Sequence, residues 1–364
     1  MHKHNKSGWL PVTVLATAAM AVSPLTQADI DSSNSFSGYV KTDILFDAEN
    51  DASASHTRNQ SLITLNENEA ENEEGDLNMS SLESRLKFAH TSTGTPVGNL
   101  KAVIEGDFFS GSSSVFNLRH AYLQQDNLTI GRTWSTFMDL GALAETADFG
   151  GPAARIFSRK SLVRYAIPMG NNTLELAAEQ PINSEDPDVP DLVAKYTTKT
   201  GFGHLSAGVL MQKINVGDEV KDDSAMAFAG RFSGRINIAD DNLKFSLISG
   251  SGLGGYMNFG DVAAYDFSGD SLELSKQTGV KLAYQHVFSP SLRSTLRLAK
   301  TTASLDGNDM GDFSSMHLNL VYNAYQPLKY GVELIKATKK QAEGNTFTED
   351  LKLNRLHMFA KLAF

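Results

Sequence analysis

The residues of this sequence that could do chemistry are scattered bases and acids rather than a catalytic pattern. Six of the bases fall at alternate positions of strand-like segments, namely Lys41, Arg85, Arg119, Arg132, Lys160 and Arg164. A guanidinium offers paired donors to a carboxylate, so these groups could attract and orient small anions. They could equally serve only to neutralise nearby acids, namely Glu83, Glu105, Asp107, Glu175 and Glu179.

The elements that must position these bases are β-strands with a period of two. From Gly38 onward, Val40 and Ile44 fall on one face and Lys41 and Asp43 on the other. We count sixteen such segments, joined by alternately short and long connections. Charge on one face and apolar side chains on the other are typical of a transmembrane β-barrel, whose strands carry only this weak signal.

The C-terminus supports a barrel of the outer-membrane type. Leu356, Met358, Ala360, Leu362 and Phe364 form an alternating apolar row that ends in a terminal aromatic residue. This row resembles the insertion signal of outer-membrane barrels. We therefore predict an all-β fold: a 16-stranded antiparallel transmembrane β-barrel with short periplasmic turns, long extracellular loops and an inward-folded third loop.

The N-terminus predicts export. Lys3 and Lys6 precede an apolar run that is too short to span a bilayer, and small residues follow up to Ala28. We predict a signal peptide over residues 1–28 and a single barrel domain over residues 29–364. The chain has no cysteine and a net charge of −10, which exclude disulfide stapling and argue against nucleic acid as a partner. A soluble periplasmic or secreted β-protein is the alternative.

The stretch from Gly131 to Arg164 contains an excursion of about two dozen residues between two strands, where a few residues are usual. We expect it to fold into the lumen and narrow a pore. Its acids are Asp139, Glu145 and Asp148, and Arg85, Arg119 and Arg164 should lie across the lumen from them. Three aromatic residues, Trp134, Phe137 and Phe149, could anchor this loop, although Trp134 could instead belong to an interfacial girdle and the phenylalanines could line the pore.

Other candidate sites are weaker. The acidic segment from Glu67 to Asp76 is either a solvated loop or a place where divalent ions bridge to lipopolysaccharide, and its spacing matches no calcium loop. The histidines stand singly, so we expect no catalytic residues, no metal site and no cofactor. His120 falls on the outward face by alternation, which favours an oligomer interface.

Several motifs resemble one family. These are Glu83-Ser84-Arg85-Leu86, Leu118-Arg119-His120-Ala121-Tyr122, the run from Gly131 to Asp139 that contains Trp-Ser-Thr-Phe-Met-Asp, and Glu145 to Pro152. With them the chain resembles the DcaP-like outer-membrane porins, most densely from about residue 80 to 195. The resemblance implies a homotrimer of 16-stranded barrels and uptake of small anionic solutes such as dicarboxylates and aromatic carboxylates. Some family members carry an N-terminal coiled-coil segment, whereas here only Asp29 to Ser35 separates the predicted signal peptide from the first strand, so we expect trimerisation to depend on the barrel faces.

These observations predict a non-enzymatic channel of the bacterial outer membrane for passive uptake of small hydrophilic, preferentially anionic solutes. Its other partners would be outer-membrane lipids and lipopolysaccharide. Two alternatives stay open: a general, weakly selective diffusion porin, and a non-channel barrel that acts as an enzyme or adhesin, because a triad assembled from several strands leaves no mark in sequence spacing.

Overall fold

The structure is a computed structural model. It describes residues 30–50, 75–109, 115–148, 152–217, 222–257, 264–268, 271–306, 308–343, 346–347 and 351–364. The expectations for the signal peptide, for the acidic segment up to Glu74 and for Phe149 lie outside the described residues.

Antiparallel strands make up nearly all of the described chain. The first ten are β1 (Asp31–Asn50), β2 (Asp76–Ser80), β3 (Arg85–Thr95), β4 (Gly98–Asp107), β5 (Asn117–Gln125), β6 (Leu128–Trp134), β7 (Arg159–Met169), β8 (Asn172–Glu179), β9 (Asp191–Thr200) and β10 (Gly203–Gly217). The others are β11 (Asp222–Ile238), β12 (Asp241–Ser251), β13 (Tyr265–Ser268), β14 (Ser271–Leu274), β15 (Lys276–Ser289), β16 (Leu292–Leu305), β17 (Asn308–Tyr325), β18 (Leu328–Glu343), β19 (Thr346–Phe347) and β20 (Leu351–Ala363). Among described residues the one helical element is a 3-10 turn, Leu140–Ala142, and no helix there is long and apolar enough to cross a bilayer.

Sixteen of the strands close into a barrel, which confirms the predicted fold class. The barrel closes where β1 pairs with β20, from Tyr39 opposite Ala363 to Asn50 opposite Leu353. The short strands β2 and β19 extend hairpins at the long-loop end, and β13 and β14 form a separate hairpin within a loop. Closure pairs every wall strand on both sides, which is what a sheet needs where no water is available for its backbone groups.

Alternation along the strands sorts side chains between lipid and lumen. In β1 the side chain of Val40 is 55% exposed on the outside, whereas Lys41 and Asp43 are 4% and 0% exposed on the inside. This is the reverse of a water-soluble protein, because the apolar face meets hydrocarbon and the polar face meets the lumen. The predicted assignment of the two faces of β1 is therefore confirmed.

Alternation fails at one β-bulge. In the pairing of β4 with β5, Glu105 lies opposite His120 and Gly106 opposite Leu118, so Arg119 is an extra residue. A bulge of one residue shifts everything beyond it to the other face. His120 therefore shares the lumen face of Glu105, 4.0 Å away, and the prediction that it points outward is wrong.

The wall strands are longer than the alternation predicts on the long-loop side. Only residues 218–221 separate β10 from β11, and only residues 306–307 separate β16 from β17. The sequence predicts longer loops at both places. Hairpin hydrogen bonds continue beyond the apolar belt, because a strand pair needs no lipid around it. The connection between β6 and β7, residues 135–158, is the third on the long-loop side, as predicted, and we call it loop three.

Candidate functional site

Loop three leaves the wall at a narrow neck and turns into the barrel. The N–H of Ser135 donates to the carbonyl of Ser158 at 3.0 Å, which holds the two ends of the loop together. Asp139 then caps the 3-10 turn by accepting the N–H of Gly141 at 3.0 Å. These two hydrogen bonds aim the following residues across the lumen.

Asp139 anchors the first part of loop three to β10 and β11. Its carboxylate accepts from Ser233 at 2.6 Å and contacts His204 at 3.0 Å, and Arg231 lies 3.7 Å away. Arg231 also donates to the carbonyl of Phe137 at 2.7 Å. Burial tends to raise the pKa of Asp139, but the Ser233 hydrogen bond and the Arg231 charge outweigh it and hold that pKa below its usual range.

Glu145 anchors the middle of the loop to β16. Arg293 donates to both of its carboxylate oxygens at 2.6 Å, the paired geometry that a guanidinium favours. Gln285 adds a third hydrogen bond at 3.0 Å. Burial tends to raise the pKa of Glu145, and Arg293 overcomes this and lowers it. The acids at positions 139 and 145 therefore turn to bases on β10, β11 and β16 rather than to Arg85, Arg119 or Arg164.

Wall side chains also hold the loop by its backbone. Those that donate to loop carbonyls include Lys281 to Ala142 at 2.8 Å, Lys244 to Leu143 at 2.7 Å, Asn319 to Glu145 at 2.8 Å, and Lys41 to Ala147 at 3.1 Å. Carbonyls inside a lumen would otherwise need water, so these donors specify the path of the chain.

Glu333 on β18 binds loop three from the acceptor side. One of its carboxylate oxygens accepts the N–H of Ala147 at 2.9 Å, and the other accepts the N–H of Asp148 at 3.2 Å. Asn319 and His317 donate to the same carboxylate, each at 3.1 Å. Glu333 is completely buried, so one charge joins two wall strands to the loop backbone.

The loop also carries buried charges of its own. Asp148 is 1% exposed, and neither of its carboxylate oxygens has a hydrogen-bond partner among the described residues. Burial raises its pKa. Burial likewise lowers the pKa of Arg155 to about 10, and this guanidinium stacks 3.7 Å from the centroid of the Phe157 ring. Asp148 is therefore not placed to meet a passing solute.

Apolar packing completes the attachment. Phe137 and Met138 are buried in a cluster with wall residues that include Val193, Leu210 and Ile248. The connection after β12 joins this cluster as well: Tyr256 donates its hydroxyl to Asp191 at 2.7 Å, and its carbonyl accepts the N–H of Phe157 at 3.0 Å. Trp134 packs 4.8 Å from the Phe157 ring, at the base of the loop.

Arg85 and Arg119 meet on the arc of wall formed by β3 to β5. Arg119 donates to Asp107 at 2.8 Å and to Glu105 at 3.2 Å, and it is 1% exposed. Arg85 lies 3.3 Å from Glu105 and 3.6 Å from Asp107, and its side chain is 17% exposed. The group thus holds two positive and two negative charges, and Arg85 is its more accessible base.

A second basic group lies on β7 to β9. Arg164 is 3.5 Å from Glu175, which also pairs with Lys195 at 2.5 Å. The side chains of Arg164 and Lys195 are 21% and 14% exposed. Here one carboxylate faces two bases, so the group carries a net positive charge towards the lumen.

The remaining bases predicted to line the pore are placed differently. Lys160 is enclosed, with its ammonium 3.8 Å from Asp191 and 4.1 Å from the centroid of the Tyr256 ring. Lys41 is 4% exposed and bound to Glu83 and to loop three. These two side chains support the wall and the loop.

Arg132, for which alternation predicts a lumen position, lies by cross-strand register on the outward face. Arg132 lies directly opposite Ala121 and Ser161 on the neighbouring strands. It shares its face of the sheet with Ile130 and Val163, whose side chains are 47% and 48% exposed on the outside of the barrel. Its Nε donates to the carbonyl of Leu118 at 3.4 Å. The physical reason is the bulge at Arg119, which reverses the faces beyond it: Ala121 and its partner Arg132 lie outward, and Thr133 lies on the lumen side of β6.

Sequence reasoning missed most of the residues that fix the loop, among them His204, Arg231, Lys244, Lys281, Arg293 and Glu333. Each falls on the lumen face of its strand, so alternation could have identified them as lumen residues. Their partners lie far along the chain, however, and nothing local indicates the pairing. No cluster of three or more metal-ligating side chains occurs in the described part of the chain.

Comparison with known proteins agrees with the barrel fold. The family model described as DcaP outer membrane protein matches residues 19–361. The fold is similar to the outer membrane channel DcaP of Acinetobacter baumannii, with a TM-score of 0.78 and 23% identity over 92% of this chain and 97% of that chain. It is also similar to an anion-selective porin from Comamonas acidovorans, with a TM-score of 0.63 and 15% identity over 92% and 100% of the two chains. Among curated proteins none matches.

Proposed function

Because this chain belongs to the DcaP outer membrane protein family and is a channel of the bacterial outer membrane, we propose that it admits small anionic solutes by passive diffusion. The preferred solutes are dicarboxylates and aromatic carboxylates. The family and the barrel indicate a channel rather than an enzyme, which makes the enzyme and adhesin alternatives the weaker ones.

The observation that carries the proposal is the neutralisation of the acids in loop three. Asp139 is occupied by His204, Ser233 and Arg231, Glu145 is occupied by Arg293, and Asp148 is buried. The wall from β3 to β9 presents partly exposed bases instead, namely Arg85, Arg164 and Lys195. Local charge at the narrow part of a lumen governs what passes, even when the whole chain is acidic.

Arg164 and Lys195 are the bases best placed to act on a solute. Both remain partly exposed, and together they outnumber the single carboxylate of Glu175. Arg85 contributes more weakly, because Glu105 and Asp107 balance it and Arg119. A general, weakly selective porin would instead show no dependence on these groups.

Planar-bilayer recording in a potassium chloride gradient tests the proposal. A unit charge about 5 Å from a passing ion contributes about 0.8 kcal/mol even at the dielectric constant of water, which is about a fourfold effect. We expect Arg164→Gln with Lys195→Gln to lower the chloride-to-potassium permeability ratio by about that factor or more. Arg132→Gln removes a charge from the outward face and is the matched control. Strong cation preference of the unaltered channel, unchanged in the double variant, would refute the proposal.

We extend the proposal to assembly and processing. The mature protein forms a homotrimer after removal of residues 1–28, as expected from the resemblance and the leader, and its outward side chains contact lipid and lipopolysaccharide. Support comes from the continuous apolar outer face, where residues such as Phe36, Leu123 and Phe228 are 57–64% exposed. N-terminal sequencing of the mature chain and chemical crosslinking in outer-membrane vesicles test these two points.

A further inference from the structure

Three lysines form one row on the lumen face of three adjacent strands. Lys361 on β20 lies directly opposite Lys41 of β1 on one side and Lys329 of β18 on the other. Directly opposed residues of an antiparallel pair have Cβ atoms about 4.5–5.5 Å apart, and like charges in that relation destabilise a sheet. A row of three positive charges therefore needs compensation.

Only Lys41 receives that compensation from the described protein. Its ammonium lies 2.5 Å from Glu83 and 3.0 Å from Asp43, and it donates to the carbonyl of Ala147. Lys329 and Lys361 have no carboxylate within 4.0 Å in the described part of the chain. Both are partly exposed.

Lys361 is positioned by an aromatic ring that it shares with Arg85. Its ammonium lies 3.5 Å from the centroid of the Tyr39 ring, and the guanidinium carbon of Arg85 lies 5.2 Å from the same centroid. The ammonium and the guanidinium carbon are therefore no more than about 9 Å apart. A flat aromatic face holds a cation without neutralising it, so the charge stays available to a solute.

Lys41 contacts loop three itself, whereas Lys361 and Lys329 lie on its short-turn side. Lys329 is the second residue of β18, and Glu333, which binds the loop backbone, follows four residues later on the same strand. At about 3.3 Å per residue the two Cα atoms are about 13 Å apart along the wall. A solute that has passed loop three meets Lys329 and Lys361 next.

We propose that Lys329 and Lys361 form a dicarboxylate-binding site on the periplasmic side of loop three, with Arg85 across the Tyr39 ring. One carboxylate of the solute bridges the two ammonium groups and offsets their repulsion. The second carboxylate extends towards Arg85. This inference rests on the proposed anion channel and adds the place where a dicarboxylate is held.

Neighbouring acids do not fill this role. Glu145 lies within the field of Lys329, but Arg293 engages both of its oxygens. Glu83 is engaged by Lys41. Lys329 and Lys361 therefore differ from the bases of the Arg119 group, to which Arg85 belongs, and of the Arg164 group, where carboxylates of the protein already face the bases.

The test compares succinate with butyrate, which has the same number of carbon atoms and one carboxylate. Both are titrated against single-channel current through the full-length channel in a planar bilayer. We expect Lys329→Gln with Lys361→Gln to raise the apparent dissociation constant of succinate about tenfold and that of butyrate much less. Lys329→Arg with Lys361→Arg keeps both charges and should retain most of the affinity.

The matched control is Lys101→Gln with Lys199→Gln. It removes two lumen-facing lysines near the same end of the barrel, but from the distant strands β4 and β9. An equal loss of succinate affinity in this control would show a general field and overturn the site. The site would also be overturned if the Lys329→Gln, Lys361→Gln variant bound succinate as tightly as the wild type, in a channel whose wild-type form prefers anions.

A failure of the anion-channel proposal would give a different experimental result. If the wild-type channel shows neither anion preference nor block by succinate, both the proposed anion selectivity and the proposed site are wrong. If the double variant assembles poorly, as judged by heat-modifiable migration on a gel, Lys329→Gln alone supplies the comparison. We expect a smaller rise in the succinate dissociation constant for that single change, and no rise would overturn the inference.

Discussion

Replacing Glu333 with glutamine should release the tip of loop three while leaving the barrel intact. The buried carboxylate accepts the N–H of Ala147 on one oxygen and the N–H of Asp148 on the other. Glutamine has nearly the same shape but offers only one acceptor oxygen. Whichever way the amide is turned, one loop N–H faces an NH2 group.

The size of the effect follows from that lost acceptor. A hydrogen bond to a charged group is worth about 1.5–3 kcal/mol, and a buried donor left without a partner costs a similar amount. Taking about 2 kcal/mol for the loop, the equilibrium between closed and released states should shift about 30-fold. His317 and Asn319 also lose part of their acceptor, so this value is a lower bound.

Hydrogen exchange of the peptide that contains Ala147 and Asp148 measures this shift, because local opening controls exchange in a folded protein. We expect exchange of these amides to accelerate about 30-fold and open-channel current noise to rise. Glu175→Gln is the matched control, since it also removes a lumen carboxylate but contacts Arg164 and Lys195 rather than loop three. Exchange within about threefold of wild type would refute the role assigned to Glu333.

Two further predictions concern the other anchors. In Gly141→Ala the new methyl group would lie 2.5 Å from the His204 ring, so the ring must move away from Asp139; we expect about 1–2 kcal/mol of lost anchoring, visible as faster exchange in residues 139–143. The lowered pKa values of Asp139 and Glu145 start from usual values of 3.8 and 4.5. Depressed carboxyl pKa values give stabilisation that is complete above the usual values and is lost as pH falls through the lowered ones. Current noise should therefore rise below about pH 4, as these two carboxyl groups become protonated, and noise that stays constant down to about pH 2 would contradict these ion pairs.

Much of the barrel could be predicted because strand alternation is local. A period of two with apolar side chains outside needs no knowledge of partners, so sixteen strands and the position of loop three follow from the residues in order. The residues that resemble the DcaP family gave the same fold. Alternation failed where one extra residue entered β5, because nothing in the sequence around His120 marks the bulge.

The candidate site was less accessible to sequence reasoning. Alternation identified Arg85, Arg119 and Arg164 as lumen bases, but their net effect depends on Glu105, Asp107 and Glu175 beside them. The charge of a group is the sum over strands that meet only after folding. For that reason Arg119 is neutralised and nearly inaccessible, whereas Arg164 remains partly exposed.

By itself the sequence determined that charges face a lumen and that a long third loop could enter it, because side-chain alternation and loop length are properties of neighbouring residues. Only the tertiary structure decided which charges remain for a solute. Glu333 meets Ala147 across 186 residues of chain, and Arg293 meets Glu145 across 148. Barrel closure sets these pairings through strand register, and it also brings Lys41, Lys361 and Lys329 into one row.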